Sequence, residues 1–131
     1  MKLLHTADWH VGRTIRGRSR TPEFDDALRE VVGIAVQENV DAVLVAGDLY
    51  DHRSPAPEAD SLVFEAFVRL HEEGIPVVAI PGNHDSALRL EALAKLLRPI
   101  GVAMVPRVVP PEEGSLIEVR AKDGSEAALV A

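Results

Sequence analysis

The 131-residue sequence contains no cysteine, which excludes disulfides, thiolate metal sites and thiol nucleophiles. Aromatic residues are scarce, with one Trp, one Tyr and three Phe, so a platform for stacking bases is not indicated. No run approaches the ~20 apolar residues of a membrane span. The start, Met1-Lys2-Leu3-Leu4-His5, turns polar too early for a secretory leader. A cytoplasmic enzyme or binding module is the resulting expectation. Net positive charge is lacking as well: 14 Lys and Arg face 21 Asp and Glu, a formal balance of −7, which argues against non-specific coating of nucleic acid. Nine Gly and nine Pro are scattered without a period, so fibrous and low-complexity classes fall away.

What remains is a chain of one domain's length with 47% hydrophobic residues, enough for a packed core. Its charge is uneven. Residues 1–20 carry five basic residues and one acid, and the remaining 111 residues are strongly acidic. Any polyanion contact is therefore expected near the N-terminus.

The apolar pattern reads as alternating strands and helices. Lys2 to Ala7 forms a first short strand. Thr21 and Pro22 read as a helix start, with Thr21 as N-cap and Pro22 at the first helical position; Phe24, Ala27, Leu28, Val31 and Ala35 follow at helical spacing. Ala42 to Ala46 is a continuous apolar run between Asp41 and Gly47, the pattern of a strand buried on both faces. A second helix is expected over about 58–73, with Leu62, Val63, Ala66, Phe67 and Leu70 inward and Gly74 as its stop. Val77 to Ile80 is another buried strand. A third helix, about 86–98, must stop before Pro99. Val102 to Val105, Leu116 to Val119 and Ala127 to Val130 read as short strands. The order βαβαβα implies an α/β fold with a parallel sheet, whose ligand sites lie beyond the carboxyl ends of the strands.

Those ends carry Asp8-Trp9-His10, Gly47-Asp48-Leu49-Tyr50-Asp51 and Gly82-Asn83-His84-Asp85. Side chains alternate along an extended segment, so Asp8 and His10 are expected on one side, able to grip one cation. Gly47 and Gly82 permit close backbone approach. Asn83 offers a neutral carbonyl oxygen. Each motif alone is ordinary turn chemistry, and Asp85 or Ser86 reads as a helix cap. Three in succession are far more specific. Oxygen and nitrogen donors without sulfur suit Mn²⁺, Fe²⁺ or Zn²⁺ in an open site.

In this order the motifs resemble those of the calcineurin-like metallophosphoesterases. His5 to Arg13, Phe24 to Leu28 and Gly47 to Asp51 are similar to the SbcD family of bacterial nuclease subunits within them. The resemblance covers residues 1–105 well. It implies a metallophosphoesterase-type β-sandwich flanked by helices, of which residues 1–131 supply the N-terminal part: the parallel sheet followed by short strands. It implies a Mn²⁺-dependent exonuclease and single-strand endonuclease acting on DNA ends and hairpins in repair and recombination, with the ATPase subunit SbcC as partner. Asp8 and His10 would then bind a first metal, Asp48 would bridge two, Asn83 would bind the second, and His84 would face the scissile phosphate as a catalytic group. Two cations held about 3.5–4 Å apart suit in-line displacement at phosphorus. The family's later motifs add histidines, whereas the five here are His5, His10, His52, His71 and His84; this chain alone is thus expected to be catalytically incomplete.

Arg13 and Arg16, with Arg18 and Arg20, and His52 beside Asp51 are candidate phosphate contacts. Trp9 is expected to pack on the sheet, and His5 to lie in the core or sheet. A homodimer through helices 58–73 and 86–98 is expected from second apolar stripes, Phe64 with Val68, and Leu90 with Ala94 and Leu97. Alternatives are a phosphatase or cyclic-nucleotide phosphodiesterase of the same superfamily, and a non-catalytic module that bridges DNA ends.

Overall fold

The computed structural model describes residues 1–107 and 109–131. Four strands, β1 (Leu3–Thr6), β2 (Ala42–Ala46), β3 (Val77–Ile80) and β4 (Val102–Met104), form one sheet in sequential order, every neighbouring pair parallel. Helices α1 (Thr21–Gln37), α2 (Pro57–Glu72) and α3 (Ala87–Leu97) make the crossovers that parallel strands require. A hairpin of β5 (Ile117–Arg120) and β6 (Ala127–Val130) follows.

Period-two alternation divides the strands between two faces. Val43, Val45, Val77, Ala79, Val102 and Met104 join the helices in one core with Leu28, Val32, Phe67, Leu70 and Leu90. Burying a side chain such as Phe67 or Leu90 contributes roughly 1.5–3 kcal/mol. On the opposite face Ala42 and Val78 pack against Val119 of the hairpin. The hairpin covers only the middle of that face: Leu3 and Ile80 remain 37% and 46% exposed. His5 points to this side and is exposed, so it belongs to the sheet but not to the core.

Helix ends follow the sequence with one instructive shift. At α1 the N-cap is Arg20, with no side-chain cap. Thr21 instead shares a 2.7 Å hydrogen bond with Ser19 and becomes the first helical residue. At α2, Pro57 opens the helix and Gly74 (φ 67°) closes it: Gly74 N donates to His71 O and Ile75 N to Leu70 O, a Schellman stop that carries Ile75 into the core. The same device ends α1 with Asn39 (φ 47°) and Val40, whose N–H groups donate to Val36 O and Ala35 O. Both stops feed directly into the next buried strand.

The apolar stripe assigned to α3 needs correction. Leu90 and Leu97 are buried and Ala94 packs against the same core, so these three form the inward face. The outward face shows Leu88 and Leu96, each 72% exposed. On α2, Phe64 packs against the core while Val68 is 40% exposed. Apolar residues surround so much of α3 that spacing alone could not choose the inward side; the position of the sheet does.

Asp41 links the two sheets. Its carboxylate accepts from Lys2 N (2.6 Å) and Lys122 N (2.8 Å), and these backbone donors, Lys122 first, hold its acidity below the usual carboxylate range.

Candidate metal centre

Beyond the strand ends the backbone continues to pair. Gly47 N donates to Ile80 O, Asp8 N to Gly47 O, His10 N to Asp48 O and Val11 N to Leu49 O. The segments after β1, β2 and β3 therefore stack as an irregular extension of the sheet. Asp8 (φ 54°), His10 (φ 47°) and Asp48 (φ 46°) all adopt left-handed backbone conformations, each costing roughly 1–2 kcal/mol for a residue with a Cβ. The inter-loop hydrogen bonds offset that cost. The extended Asp8-x-His10 geometry expected from the sequence is thus incorrect: two left-handed residues kink the segment.

The kinks bring His10, Asp48 and His84 together, with one prospective ligand atom from each within 4.8 Å of the others. Asp48 is buried, His10 half-buried and His84 exposed. His10 Nε2 lies 3.7 Å from Asp48 Oδ2, and the two imidazoles meet edge to face at 4.9 Å. Asp48 Oδ1 accepts from His84 N at 2.9 Å. Asp8 stands at the end of β1, outside this trio, and Asn83 is exposed beside His84. Arg13 and Arg16 are exposed on the loop from His10 to α1. Trp9 turns inward, 5.9 Å from Phe67, and its Nε1 donates to Thr6 Oγ1.

Asp51 is a site residue that sequence reasoning missed. Its carboxylate lies 3.3 Å from His10 Nδ1 and 3.3 Å from His52 Nε2, while its carbonyl oxygen is 2.9 Å from His84 Nδ1. A carbonyl only accepts, so His84 carries its proton on Nδ1 and leaves Nε2 free. His10 Nδ1 is buried without a hydrogen bond despite the nearby carboxylate.

Gly82 shows how tightly the loops meet. A Cβ there would sit 2.0 Å from Asp48 Oδ1 and 2.5 Å from Asp48 N. Gly47 (φ 88°) faces Gly82 across the same gap. Behind the site, Arg89 of α3 reaches Asp60 of α2 (2.5 Å) and lies over the Tyr50 ring at 5.2 Å. Burial first, then the Asp60 charge, pushes the Tyr50 phenol well above its usual range. These three side chains hold the loop after β2 against both helices.

A divalent cation fits the trio. The donors are hard or borderline oxygen and nitrogen atoms, and each histidine has a second ring nitrogen near an Asp51 oxygen. Similarity to known proteins agrees with this chemistry. The family model described as calcineurin-like phosphoesterase matches residues 1–117. The chain is 40% identical over 129 residues to the SbcD subunit of nuclease SbcCD from Bacillus subtilis, covering 92% of this chain and 33% of that protein. It is 45% identical over 105 residues to the corresponding subunit from Rhodobacter capsulatus (78% and 26%). To that from Escherichia coli K12 it is 32% identical over 121 residues (88% and 30%). The chain spans a quarter to a third of the length of the curated relatives it matches.

Proposed function

The chain belongs to the calcineurin-like phosphoesterase family, and on that premise we propose that the protein it forms is a Mn²⁺-dependent DNA nuclease. The observation that carries this reading is the convergence of His10, Asp48 and His84 from three successive strand ends. Similarity to nuclease subunits over most of the chain supports DNA as the substrate. Asp8 and His10 would hold one cation, Asn83 another, and Asp48 both. Bound cations supply an activated water and a Lewis acid at the phosphodiester.

The protein's own groups do the rest. His84, its Nδ1–H engaged by the Asp51 carbonyl, presents Nε2 to the substrate; in its protonated form it donates to the leaving oxygen. The Asp51 carboxylate faces His10 Nδ1 at 3.3 Å. Arg13, Arg16 and the exposed His52 contact phosphates of the flanking strand. Substrates are DNA ends and hairpins in repair and recombination, in the cytoplasm, with the ATPase subunit SbcC as partner. No helix among the described residues is long and apolar enough to cross a membrane.

The test uses the product of the complete reading frame with Mn²⁺, a hairpin DNA and a small phosphodiester. Preferential hairpin cleavage is expected; turnover of the small ester alone would favour a phosphatase or cyclic-nucleotide phosphodiesterase. His84→Ala should retain bound Mn²⁺ and lose about 10²–10⁴ in rate. Loss of the metal would instead make His84 a ligand.

The protein pairs as a homodimer through α2 and α3, with Leu88, Leu96 and Val68 as the contacting side chains. Leu88→Asp with Leu96→Asp should convert the dimer to a monomer in light scattering without loss of helicity. A wild type that stays monomeric at high concentration would end this idea.

A further inference from the structure

We propose that Asp85 is a positioning residue for the metal centre, its carboxylate latching the loop after β2 to the loop after β3. The proposal rests on the metal-site reading above. Asp85 is 5% exposed, and it does not cap α3: Ser86 is the N-cap, its Oγ accepting from Arg89 N. Its two oxygens are used elsewhere. Oδ2 accepts from Leu49 N (3.0 Å) and Gly82 N (2.9 Å), and Oδ1 accepts from Tyr50 N (3.0 Å). Two of the donors directly follow Asp48, and the third belongs to the glycine whose missing Cβ makes room for Asp48.

The exchange is reciprocal. Asp48, on the first loop, accepts from His84 N on the second. Asp85, on the second loop, accepts from Leu49 N and Tyr50 N on the first. Each carboxylate therefore fixes the backbone that carries the other. Asp48 touches the His10 ring and the His84 backbone, so a shift between the loops separates Asn83 and His84 from Asp48 and His10. Asp85 makes its hydrogen bonds to backbone rather than to the trio's side chains, and acts by setting the distance between the loops. A carboxylate suits the place, its two oxygens accepting all three N–H groups. It offers acceptors alone, whereas an amide presents an N–H group to at least one of the three backbone donors.

The experiment compares wild type, Asp85→Asn and Asp85→Glu in the product of the complete reading frame. It measures Mn²⁺ affinity by calorimetry, kcat and KM on hairpin DNA, and the melting temperature without metal. Wild type is expected to bind Mn²⁺ and cleave. Folded Asp85→Asn should bind Mn²⁺ about 10–100-fold more weakly, with lower kcat, unchanged KM, and partial recovery at high Mn²⁺. Asp85→Glu keeps the acceptors and should restore most of the affinity. A residue serving stability alone would lower the melting temperature and leave the affinity of the folded protein unchanged; that result overturns the proposal. So does a folded Asp85→Asn indistinguishable from wild type. If Asp85→Asn does not fold, Asp85→Glu decides: binding within about tenfold of wild type supports the latch, and loss of binding in a folded protein overturns it. A wild type that neither binds Mn²⁺ nor cleaves defeats the metal-site reading itself, a failure distinct from any ordering among the variants.

Discussion

Asp48→Ala, made in the product of the complete reading frame, abolishes Mn²⁺-dependent cleavage and leaves the fold intact. Asp48 is the buried carboxylate of the trio, 7% exposed, with one oxygen facing His10 Nε2 and the other receiving His84 N. Its removal deletes the only negative charge within the trio and leaves one N–H donor without its partner, a loss of about 1–3 kcal/mol if that donor stays dry. The sheet and its two cores do not depend on it. Asp48→Asn is the sharper companion. Asparagine tolerates the left-handed backbone that Asp48 adopts (φ 46°), so the loop should survive while the charge is lost. Calorimetry should find Mn²⁺ binding severely weakened in both variants, with circular dichroism unchanged. Cleavage at the wild-type rate by either would remove Asp48 from the metal assignment.

Gly82→Ala should do comparable damage through a single methyl group. The new carbon would stand 2.0 Å from Asp48 Oδ1 and 2.5 Å from Asp48 N, far inside van der Waals contact. The carboxylate oxygen could rotate away only by giving up His84 N. The backbone nitrogen can retreat only if the loop does. Overpacking of this kind costs about 1–3 kcal/mol, and the displaced group is the one assigned to the metal. The melting temperature should fall, and Mn²⁺ should no longer raise it. Gly33→Ala in α1 has the opposite sign: nothing lies within 4 Å of a Cβ there, and removing a helical glycine gains about 0.5–1 kcal/mol. If Gly82→Ala bound Mn²⁺ as wild type does, the close approach of the two loops would have no bearing on the site.

Much of the fold is legible from residue order alone. The runs Ala42 to Ala46 and Val77 to Ile80 form strands with those bounds. Continuous apolarity bounded by turn residues, Asp41 and Gly47 for the first run and Pro76 and Pro81 for the second, leaves few other solutions. His10, Asp48 and His84 stand out by position, because a parallel α/β order delivers every strand end to one edge. The inward side of α3 escapes such reasoning for a physical cause. Leu88, Leu90, Leu93, Leu96 and Leu97 lie on several sides of an eleven-residue helix, and the hydrophobic pattern has no strong direction until the sheet supplies one. The Asp8-x-His10 geometry escapes it because left-handed residues leave no periodic signature. Asp85 resembles a cap because Asp and Ser in tandem both suit that role; the helix needs only one of them.

By itself the sequence determined the order of elements, the parallel sheet and the edge where donor side chains gather, since these follow from apolar periodicity and turn chemistry acting over a few residues. The tertiary structure alone decided that Asp51 lies against three histidines, that His10, Asp48 and His84 converge, and that Asp85 joins two loops. Most of those outcomes depend on contacts between residues some 33 to 41 positions apart, such as His84 Nδ1 with Asp51 O and Leu49 N with Asp85. Their geometry exists only after the strands have paired, and no local preference along the chain encodes it.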